Sequence, residues 1–529
     1  MTDDTRPSRL GRITRRGLLG VTAAAAAALM LAGCAGSAGQ SGGATDPSTT
    51  EQQKGGVLRV AATDGANVDM DPHGTGAASA VKRAMFDALV EYDENMVLKP
   101  YLAEKFEPEN PDDQSVWIIK VRDAKWHDGK PVTADDVEFT IRRIVEGGLS
   151  AASLMSLIDL DGFEKIDDKT LRVRLTAPNS QLPVAFTASY ASLVPVGFDP
   201  AKPIGTGAFK FKSFTPGQRW EGERFDDYWR VDGGAYLDGL QVTSFDSSAS
   251  ALNALLAGQI DAIPNVLPAQ LPQIESQPNL KTVESESGYI MMVELQSGEG
   301  APFEDPRVRE AFKLALDRQQ LVDSVYSGYG DVANDIGVFP QFDKAAGDPP
   351  VRERDLDQAK KLLKEAGKEN LKVKLRVGEL IPGMTASAEI IQQQVAEAGI
   401  EVEIDKVTDI AQFYDDDYFT ADLQVDYTDT ITMYDGAYYW WLSYADYHNT
   451  GWKNDDFEAK FAEAITLPQE EYEKKMQEAT QILYDDGPWA VWGRQNTIDV
   501  HTDKVIGIEP TLGRGFLNDG DFSEVSLVS

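Results

Sequence analysis

The residue types that could carry out chemistry are few in this sequence, and they form no recognised catalytic motif. The four histidines (His73, His127, His448 and His501) lie far apart, and the one cysteine is Cys34. We find no HExxH zinc motif, no GxSxG nucleophile turn and no glycine-rich phosphate loop. We therefore predict a protein that is not an enzyme and that uses no metal and no cofactor. An extracellular hydrolase is the alternative, because an acid-pair mechanism needs only two well-placed carboxyl groups.

One segment is unusually rich in aromatic side chains. Nine of the 26 residues from 427 to 452 are Tyr or Trp, whereas aromatic residues make up 9% of the whole chain. Their rings carry polar N–H and O–H groups, a combination that suits a ligand-lined cleft. Core packing is the alternative, because Tyr438, Trp441 and Tyr444 recur at helical spacing. The candidate ligand contacts are Tyr434, Tyr438, Trp440 and Trp441, together with His73 from the turn-rich segment 67–74.

The first 34 residues have the pattern of an export signal. An uncharged stretch over residues 17–33 follows Arg12, Arg15 and Arg16. Its apolar part is shorter than the ~20 residues that a helix needs to cross a bilayer. Arg15 and Arg16 lie in a segment that resembles a twin-arginine export motif, and Leu31 to Cys34 resembles a bacterial lipobox. We expect cleavage before Cys34, lipidation of its thiol and anchoring to the outer face of the cell membrane. An ordinary secretory peptide with a chance cysteine is the alternative.

Composition limits what the rest of the chain can be. Residues 35–53 are mostly Gly, Ser, Ala, Thr and Gln, which is typical of a flexible tether, and the remaining ~475 residues are enough for two or three lobes. The formal net charge is −36, so we expect no binding to nucleic acid, whose phosphates require clustered Lys and Arg. We expect a monomer whose acidity mainly serves solubility.

Hydrophobic periodicity predicts the helices and strands that would hold the candidate residues in position. Alternation predicts strands at residues 57–62, 116–121, 171–175, 371–377 and 400–404, and helical spacing predicts helices over 81–89, 137–145, 306–315, 356–366 and 390–395. Thr133 and Asp136 have the spacing of a capping box, and Asp305-Pro306 is typical of a helix start. The alternation of helices and strands from 355 to 404 predicts an α/β lobe with a largely parallel sheet.

Several segments of the chain resemble segments of one protein family, and they occur in the same order as in that family. The most diagnostic is the run from Val121 to Val137, which contains Trp126-His127-Asp128-Gly129. The chain on this basis is identified as similar to the extracytoplasmic solute-binding proteins of family 5, the dipeptide-, oligopeptide- and nickel-binding components of ABC importers. The other matching segments are 71–72, 86–90, 100–104, 205–209, 227–229, 257–261, 305–309 with 317–318, and 362–367.

The resemblance implies a fold and a set of boundaries. The fold is α/β and two-lobed, of the periplasmic-binding-protein type (type II, cluster C), with an extra subdomain in the first lobe. The implied division is an export signal (1–33), a lipidated tether (34–54), lobe 1 (55–98, 205–288 and 493–529), the extra subdomain (99–204) and lobe 2 (289–492).

The resemblance also implies a function and partners. Relatives that bind peptides carry an aspartate that pairs with the peptide ammonium group, and Asp429 and Asp435 are the candidates here, although the surrounding segment lacks the family's proline. We expect a lipid-anchored binding protein that delivers a peptide or a similarly sized polar solute to the permease subunits of an ABC importer. A sensory or chaperone-like surface lipoprotein with the same fold is a further alternative.

Overall fold

The computed structural model describes residues 52–62, 69–74, 78–187, 191–231, 233–409, 412–414, 416–429, 432–513 and 516–528. The predicted export signal with Arg15 and Arg16, the lipidation residue Cys34 and nearly all of the tether therefore lie outside the described residues. Within the described ranges, no helix combines the length and the apolar character that a membrane span requires.

The described chain contains both strands and helices. The strands are β1 (Val57–Ala62), β2 (Val90–Tyr92), β3 (Leu98–Pro100), β4 (Ala103–Asn110), β5 (Asp113–Val121), β6 (Ile158–Lys165), β7 (Thr170–Leu175), β8 (Phe209–Thr215), β9 (Arg219–Arg224), β10 (Gly239–Ser244), β11 (Ala262–Ile263), β12 (Leu280–Leu295), β13 (Gly330–Val332), β14 (Lys372–Gly378), β15 (Glu401–Val407), β16 (Leu423–Thr428), β17 (Trp489–Thr502), β18 (Val505–Ile506), β19 (Leu512–Gly513) and β20 (Ser526–Leu527). The helices are α1 (Ser79–Met85), α2 (Ala134–Gly147), α3 (Ser248–Leu256), α4 (Leu271–Glu275), α5 (Pro306–Ala315), α6 (Arg318–Val325), α7 (Leu356–Glu365), α8 (Met384–Ala396), α9 (Met433–Gly436), α10 (Asp455–Ala464) and α11 (Gln469–Asp486).

A long mixed sheet connects most of the chain. Its strand order is β15-β14-β16-β12-β17-β11-β1-β10-β9-β8, and β13 and β19 pair with β17 and β12 beside this path. We call the part formed by β11, β1, β10, β9 and β8 lobe 1, and the part formed by β14, β15 and β16 with α5–α11 lobe 2. Two strands, β12 with 16 residues and β17 with 14, run through both parts as an antiparallel pair.

The side chains of β12 alternate between two cores in lobe 2. Met291, Val293 and Leu295 pack with residues of α5–α8, whereas Ile290 and Met292 face the core that contains α9–α11. This alternation follows from the two-residue period of a strand. The sheet of lobe 2 is therefore covered on both faces.

A separate four-stranded sheet, in the order β4-β5-β7-β6, lies with α2 between β3 and β8 in the chain. We call it, with α2, the four-stranded unit. The predicted capping box is confirmed: the Thr133 N–H donates to Asp136 Oδ2 (2.8 Å), and α2 begins at Ala134. The core of this unit is continuous with the core around α9–α11, so the four-stranded unit contacts lobe 2.

Most of the strands and helices predicted from periodicity are confirmed. Two predictions differ from the structure. α1 ends at Met85 and not near residue 89, because the chain is extended from Phe86 onward. The sheet of lobe 2 is parallel only among β14, β15 and β16, because β12 and β17 enter it from lobe 1 in antiparallel pairing.

Candidate ligand-binding site

The connection between the lobes contains an irregularity in strand pairing. The register of β12 with β17 shifts between Ser285 and Tyr289. In this interval the buried Ser287 hydroxyl donates to Gln495 O (2.6 Å), and its oxygen accepts from the Tyr289 N–H (3.2 Å). Arg494 donates to Ser287 O (3.1 Å). Such an irregularity disrupts the ladder and bends the strand, and we call residues 285–289 of β12 with the facing part of β17 the hinge interval.

The aromatic segment begins as a helix and continues as a wider turn. α9 spans Met433–Gly436 and passes directly into a π-helical turn over Ala437–Trp441. Thr432 caps α9, because its hydroxyl oxygen accepts from the Asp435 N–H (3.3 Å) and its O–H donates to Asp435 Oδ1 (3.1 Å). Asp435 is thus buried and engaged in the helix start. π-Helical turns often occur at functional sites.

Tyr434 joins this segment to the four-stranded unit. Its side chain is fully buried, its hydroxyl accepts from Asn179 Nδ2 (2.8 Å), and it donates to Leu154 O (2.9 Å). Tyr439 makes a similar contact, with its O–H donating to Ser150 O (2.8 Å). The two tyrosines therefore hydrogen-bond a part of the chain more than 250 residues away.

The other predicted aromatics lie in different environments. Tyr438 packs edge-to-face on Phe461, with ring centroids 5.6 Å apart, and burial raises its pKa to about 12. Trp441 is buried against Trp489 (5.4 Å), whereas its neighbour Trp440 is only partly buried and stacks on the exposed Tyr447 (6.4 Å). The structure therefore separates Trp441, a core residue, from Trp440, which lies at the surface of the same cluster.

His73 is held by contacts within lobe 1 and the four-stranded unit. Its Nε2 is 2.7 Å from Ser192 O, and its Nδ1 is 2.6 Å from Arg143 Nη1, which places the ring proton on Nε2. Arg143 also pairs with Asp71 (2.6 Å). Burial lowers the pKa of His73 to about 4, so the ring is neutral at physiological pH. Both ring nitrogens are already used, and the role of His73 in ligand binding stays a prediction.

Asp429 follows β16 directly and is half-buried. It lies next to a group of three aromatic rings, of which Tyr427 belongs to the predicted aromatic segment and Tyr289 and Phe516 do not. Tyr427 on β16 stacks on Tyr289 of β12, with centroids 6.3 Å apart, and Tyr289 contacts Phe516 from the C-terminal part of the chain (5.3 Å). Strand β12 enters lobe 2 at this point, so Asp429 lies near the hinge interval.

Two buried acids in lobe 2 were also missed. Glu294 on β12 and Asp426 on β16 are 3% exposed each. Burial raises the pKa of both groups, that of Asp426 to about 7. The signal in the sequence was a single acid within each apolar strand segment, Ile290–Leu295 and Leu423–Thr428. Among the described residues, no group of three or more His, Cys, Asp or Glu side chains could hold a metal ion.

Comparison with known proteins places this arrangement in a family. Residues 97–450, about two-thirds of the chain, match the family described as bacterial extracellular solute-binding proteins, family 5. The chain belongs to this family. The family resemblance seen in the sequence is therefore confirmed, and family members are binding proteins that act outside the cytoplasm.

Curated relatives match over part of their length. A putative ABC transporter peptide-binding protein of Brucella ovis is 29% identical over 295 residues, which cover 53% of this chain and 54% of the relative. The periplasmic oligopeptide-binding protein OppA of Salmonella typhimurium is 29% identical over 335 residues, 56% of this chain and 60% of OppA. The chain thus spans about half the length of the curated relatives it matches.

Several solved structures have a fold similar to that of this protein over nearly the whole chain. The binding protein AgaA of A. tumefaciens R10, in complex with agropinic acid, has a TM-score of 0.76 at 22% identity and covers 90% of this chain and 99% of its own. AppA of Bacillus subtilis, in complex with a nonapeptide, gives 0.74 at 22% identity, with 90% and 100% covered. NikZ of Campylobacter jejuni, in complex with Ni(L-His), gives 0.77 at 20% identity, with 89% and 99% covered. The predicted two-lobed α/β fold is confirmed.

Proposed function

We propose that this protein is the lipid-anchored substrate-binding component of an ABC importer, and that it captures a peptide or a similarly sized polar solute between its two lobes. The observation that carries the proposal is the hinge interval in β12 and β17, the two long strands that connect the lobes. Two lobes connected through such strands can close around a solute, and the importer can read the closed shape. The proposed boundaries of lobe 2 are residues 289 and 492.

The proposed binding surface lies where the hinge interval meets the aromatic segment. It includes Asp429 as the partner for a positive group and Trp440 as a partly exposed ring on which an apolar part of the solute packs. Tyr434, Asp435, Tyr438 and Trp441 are buried behind it, where they hold α9 and the π-helical turn in place. We assign these four residues to positioning the surface.

The solute class is proposed from the relatives. Two of them are named as peptide-binding proteins. The structural neighbours were solved with agropinic acid, a nonapeptide and Ni(L-His), so the fold accommodates several ligand types. Peptides are the first class to test.

Purified protein incubated with a mixed tri- to nonapeptide library is expected to retain peptides stoichiometrically and to release them unaltered. Native mass spectrometry of the complex and chromatography of the released peptides measure both properties. Cleaved products formed in catalytic amounts would favour the hydrolase alternative. Deletion of the gene with unchanged uptake of the retained peptides would favour the sensory or chaperone-like alternative.

Replacing Cys34 by serine is expected to release the protein from membranes, because serine has no thiol to accept a lipid. Fractionation of cells into membrane and soluble parts, followed by immunoblotting, measures the effect. Wild-type protein should stay in the membrane fraction after a high-salt wash, and Cys34→Ser protein should not. Equal membrane retention of the two proteins would contradict lipid anchoring at this residue.

Tyr434→Phe is expected to weaken solute binding by about 1–3 kcal/mol, because it leaves the buried amide of Asn179 and the carbonyl of Leu154 without their partner. These hydrogen bonds link lobe 2 to the four-stranded unit, and we propose that they form on closure. Isothermal titration with a retained peptide, together with small-angle scattering of the free and bound protein, measures the change. A loss of stability with unchanged affinity would mean that the contact persists in the open form.

A further inference from the structure

The hinge interval is paired with a third strand. β19 pairs in parallel with Glu286 and Ser287 of β12, inside the interval where the register of β12 with β17 shifts. The N–H of Thr511, the residue before β19, donates to the Ser285 hydroxyl oxygen (3.0 Å). The C-terminal part of the chain therefore contacts β12 directly at the place where its pairing with β17 is interrupted.

The chain after β19 is fixed to lobe 1. Leu517 and Phe522 are buried in the core that contains β1 and β10. The Leu517 N–H also donates to the carboxylate of Asp499, a buried residue of β17. We call residues 511–513 and 516–520 the C-terminal brace, because they connect this core of lobe 1 to the hinge interval.

Three successive residues of the brace have left-handed backbone angles. The φ values of Leu517, Asn518 and Asp519 are 44°, 59° and 55°. Asparagine and aspartate tolerate this region, but a leucine there is strained. The amide of Asn518 donates to Gly507 O and accepts from the Glu509 N–H (2.9 Å). Because strain of this kind persists only where the surroundings over-determine the backbone, the brace is a rigid extension of lobe 1.

The rigid brace carries one aromatic ring to lobe 2. Phe516 lies edge-to-face on Tyr289, with ring centroids 5.3 Å apart, and Tyr289 stacks on Tyr427 of β16 (6.3 Å). Tyr289 and Tyr427 are diagonal neighbours on paired strands, because Met291 is opposite Tyr427. All three rings are partly buried. The contact between Phe516 and Tyr289 therefore joins lobe 1 to lobe 2 beside the hinge interval.

We propose that the C-terminal brace is a latch that stabilises the closed arrangement of the two lobes and slows release of the solute. The latch rests on the proposed function, since it presumes a solute held between two lobes that open and close. The closed arrangement is the one in the structure, where Tyr434 of lobe 2 hydrogen-bonds Asn179 of the four-stranded unit. Rotation of lobe 2 about the hinge interval moves Tyr289 away from Phe516, because strand pairing fixes Tyr289 in lobe 2 and the brace fixes Phe516 on lobe 1.

The size of the effect follows from one ring contact. An edge-to-face aromatic pair changes an equilibrium constant roughly two- to tenfold beyond the burial of its area. The factor should be the same for every solute, because the latch acts on the lobes and not on the solute. A residue that touches the solute would instead change the affinity for different solutes by different factors.

The ratio of open to closed molecules is measurable in the free protein. Cys34 is the one cysteine of the chain, so full-length Cys34→Ser/Lys212→Cys/Lys406→Cys protein carries fluorescent labels only at two exposed positions. These positions lie on β8 and β15, the two end strands of the long sheet. Single-molecule energy transfer between the labels gives the two populations, and stopped-flow measurement with retained peptides gives their dissociation rates. Both are compared with and without Phe516→Leu.

Two further variants separate the latch from a general loss of packing. Tyr289→Leu removes the other ring of the pair and should have the same effect, with no further change in Phe516→Leu/Tyr289→Leu. The matched control is Phe198→Leu. Phe198 is also partly buried and lies edge-to-face on Phe86 (5.8 Å), but both rings pack in the core of lobe 1. This control should leave the ratio and the dissociation rates unchanged.

We expect Phe516→Leu to raise the open-to-closed ratio, and to accelerate the dissociation of every retained peptide, by one common factor of roughly two to ten. An unchanged ratio in Phe516→Leu and Tyr289→Leu would overturn the latch. Dissociation factors that differ between peptides would identify Phe516 as a solute contact and would also overturn it. Absence of binding by every peptide would contradict the proposed function itself, and the ratio in the free protein would still test the latch.

Discussion

Trp441→Ala is expected to destabilise the protein by about 3–5 kcal/mol, the range for truncating a large buried aromatic side chain. Trp441 is 2% exposed and packs edge-to-face on Trp489 (5.4 Å) and Phe457 (6.5 Å). Its removal leaves a cavity between the sheet of lobe 2 and α10, which rigid neighbours can fill only in part. Urea unfolding followed by circular dichroism measures the change in unfolding free energy.

The adjacent residue supplies a matched control. Trp440 is only partly buried, so Trp440→Ala should reduce stability less, and it should weaken solute binding by roughly 1–4 kcal/mol if its ring contacts the solute. Titration of both variants with one retained peptide separates the two effects. Equal losses of stability in Trp440→Ala and Trp441→Ala, with unchanged affinity in both, would assign both rings to the core.

Asp335→Asn is the second substitution with a large expected effect, a loss of about 3–5 kcal/mol of stability. The Asp335 carboxylate is fully buried and pairs with Arg318 and Arg352, which are themselves almost completely buried. The positive charges of Arg318, Lys313 and Arg352 hold the pKa of Asp335 below its usual value despite its burial. A neutral amide in its place removes the charge paired with the buried Arg318 guanidinium and leaves Arg352 with Glu310 (2.9 Å).

An exposed ion pair gives the comparison for this prediction. Asp227 pairs with Lys125 (2.7 Å), and both side chains are more than half exposed. Asp227→Asn should change the unfolding free energy by no more than about 1 kcal/mol, because water screens the pair. Chemical unfolding of both variants at one pH and salt concentration provides the test. A loss below 1 kcal/mol in Asp335→Asn would show that lobe 2 does not depend on this network.

Local structure was predictable because its causes are local. The capping box of Thr133 and Asp136, the helix start at Asp305 and the strand over 372–378 each depend on residues within one or two turns of one another. The end of α1 was predicted wrongly because Ala88 and Leu89 continue the apolar spacing but lie in extended chain beside Ser192. Helical spacing alone could not distinguish a buried helix face from a buried extended segment.

The candidate site was predictable in its composition more than in its geometry. The aromatic segment was identified, but its residues have different environments: Tyr434 and Trp441 are buried, Trp440 is partly buried and Tyr444 is 66% exposed. The cause is the π-helical turn over Ala437–Trp441, which changes the direction of successive side chains. The acids Glu294 and Asp426 were missed because only the sheet register places them side by side.

The sequence by itself determined the family, the order of helices and strands, and an acidic, aromatic-rich character, because these depend on composition, periodicity and short motifs. The tertiary structure decided which residues meet: Tyr434 with Asn179, and Glu294 with Asp426. These contacts join residues 255 and 132 positions apart, and no local preference of the chain specifies them. The second contact follows from the pairing of β12 with β16, because pairing across strands and not the neighbours along the chain fixes register. The first follows from the packing of the four-stranded unit on the core around α9–α11.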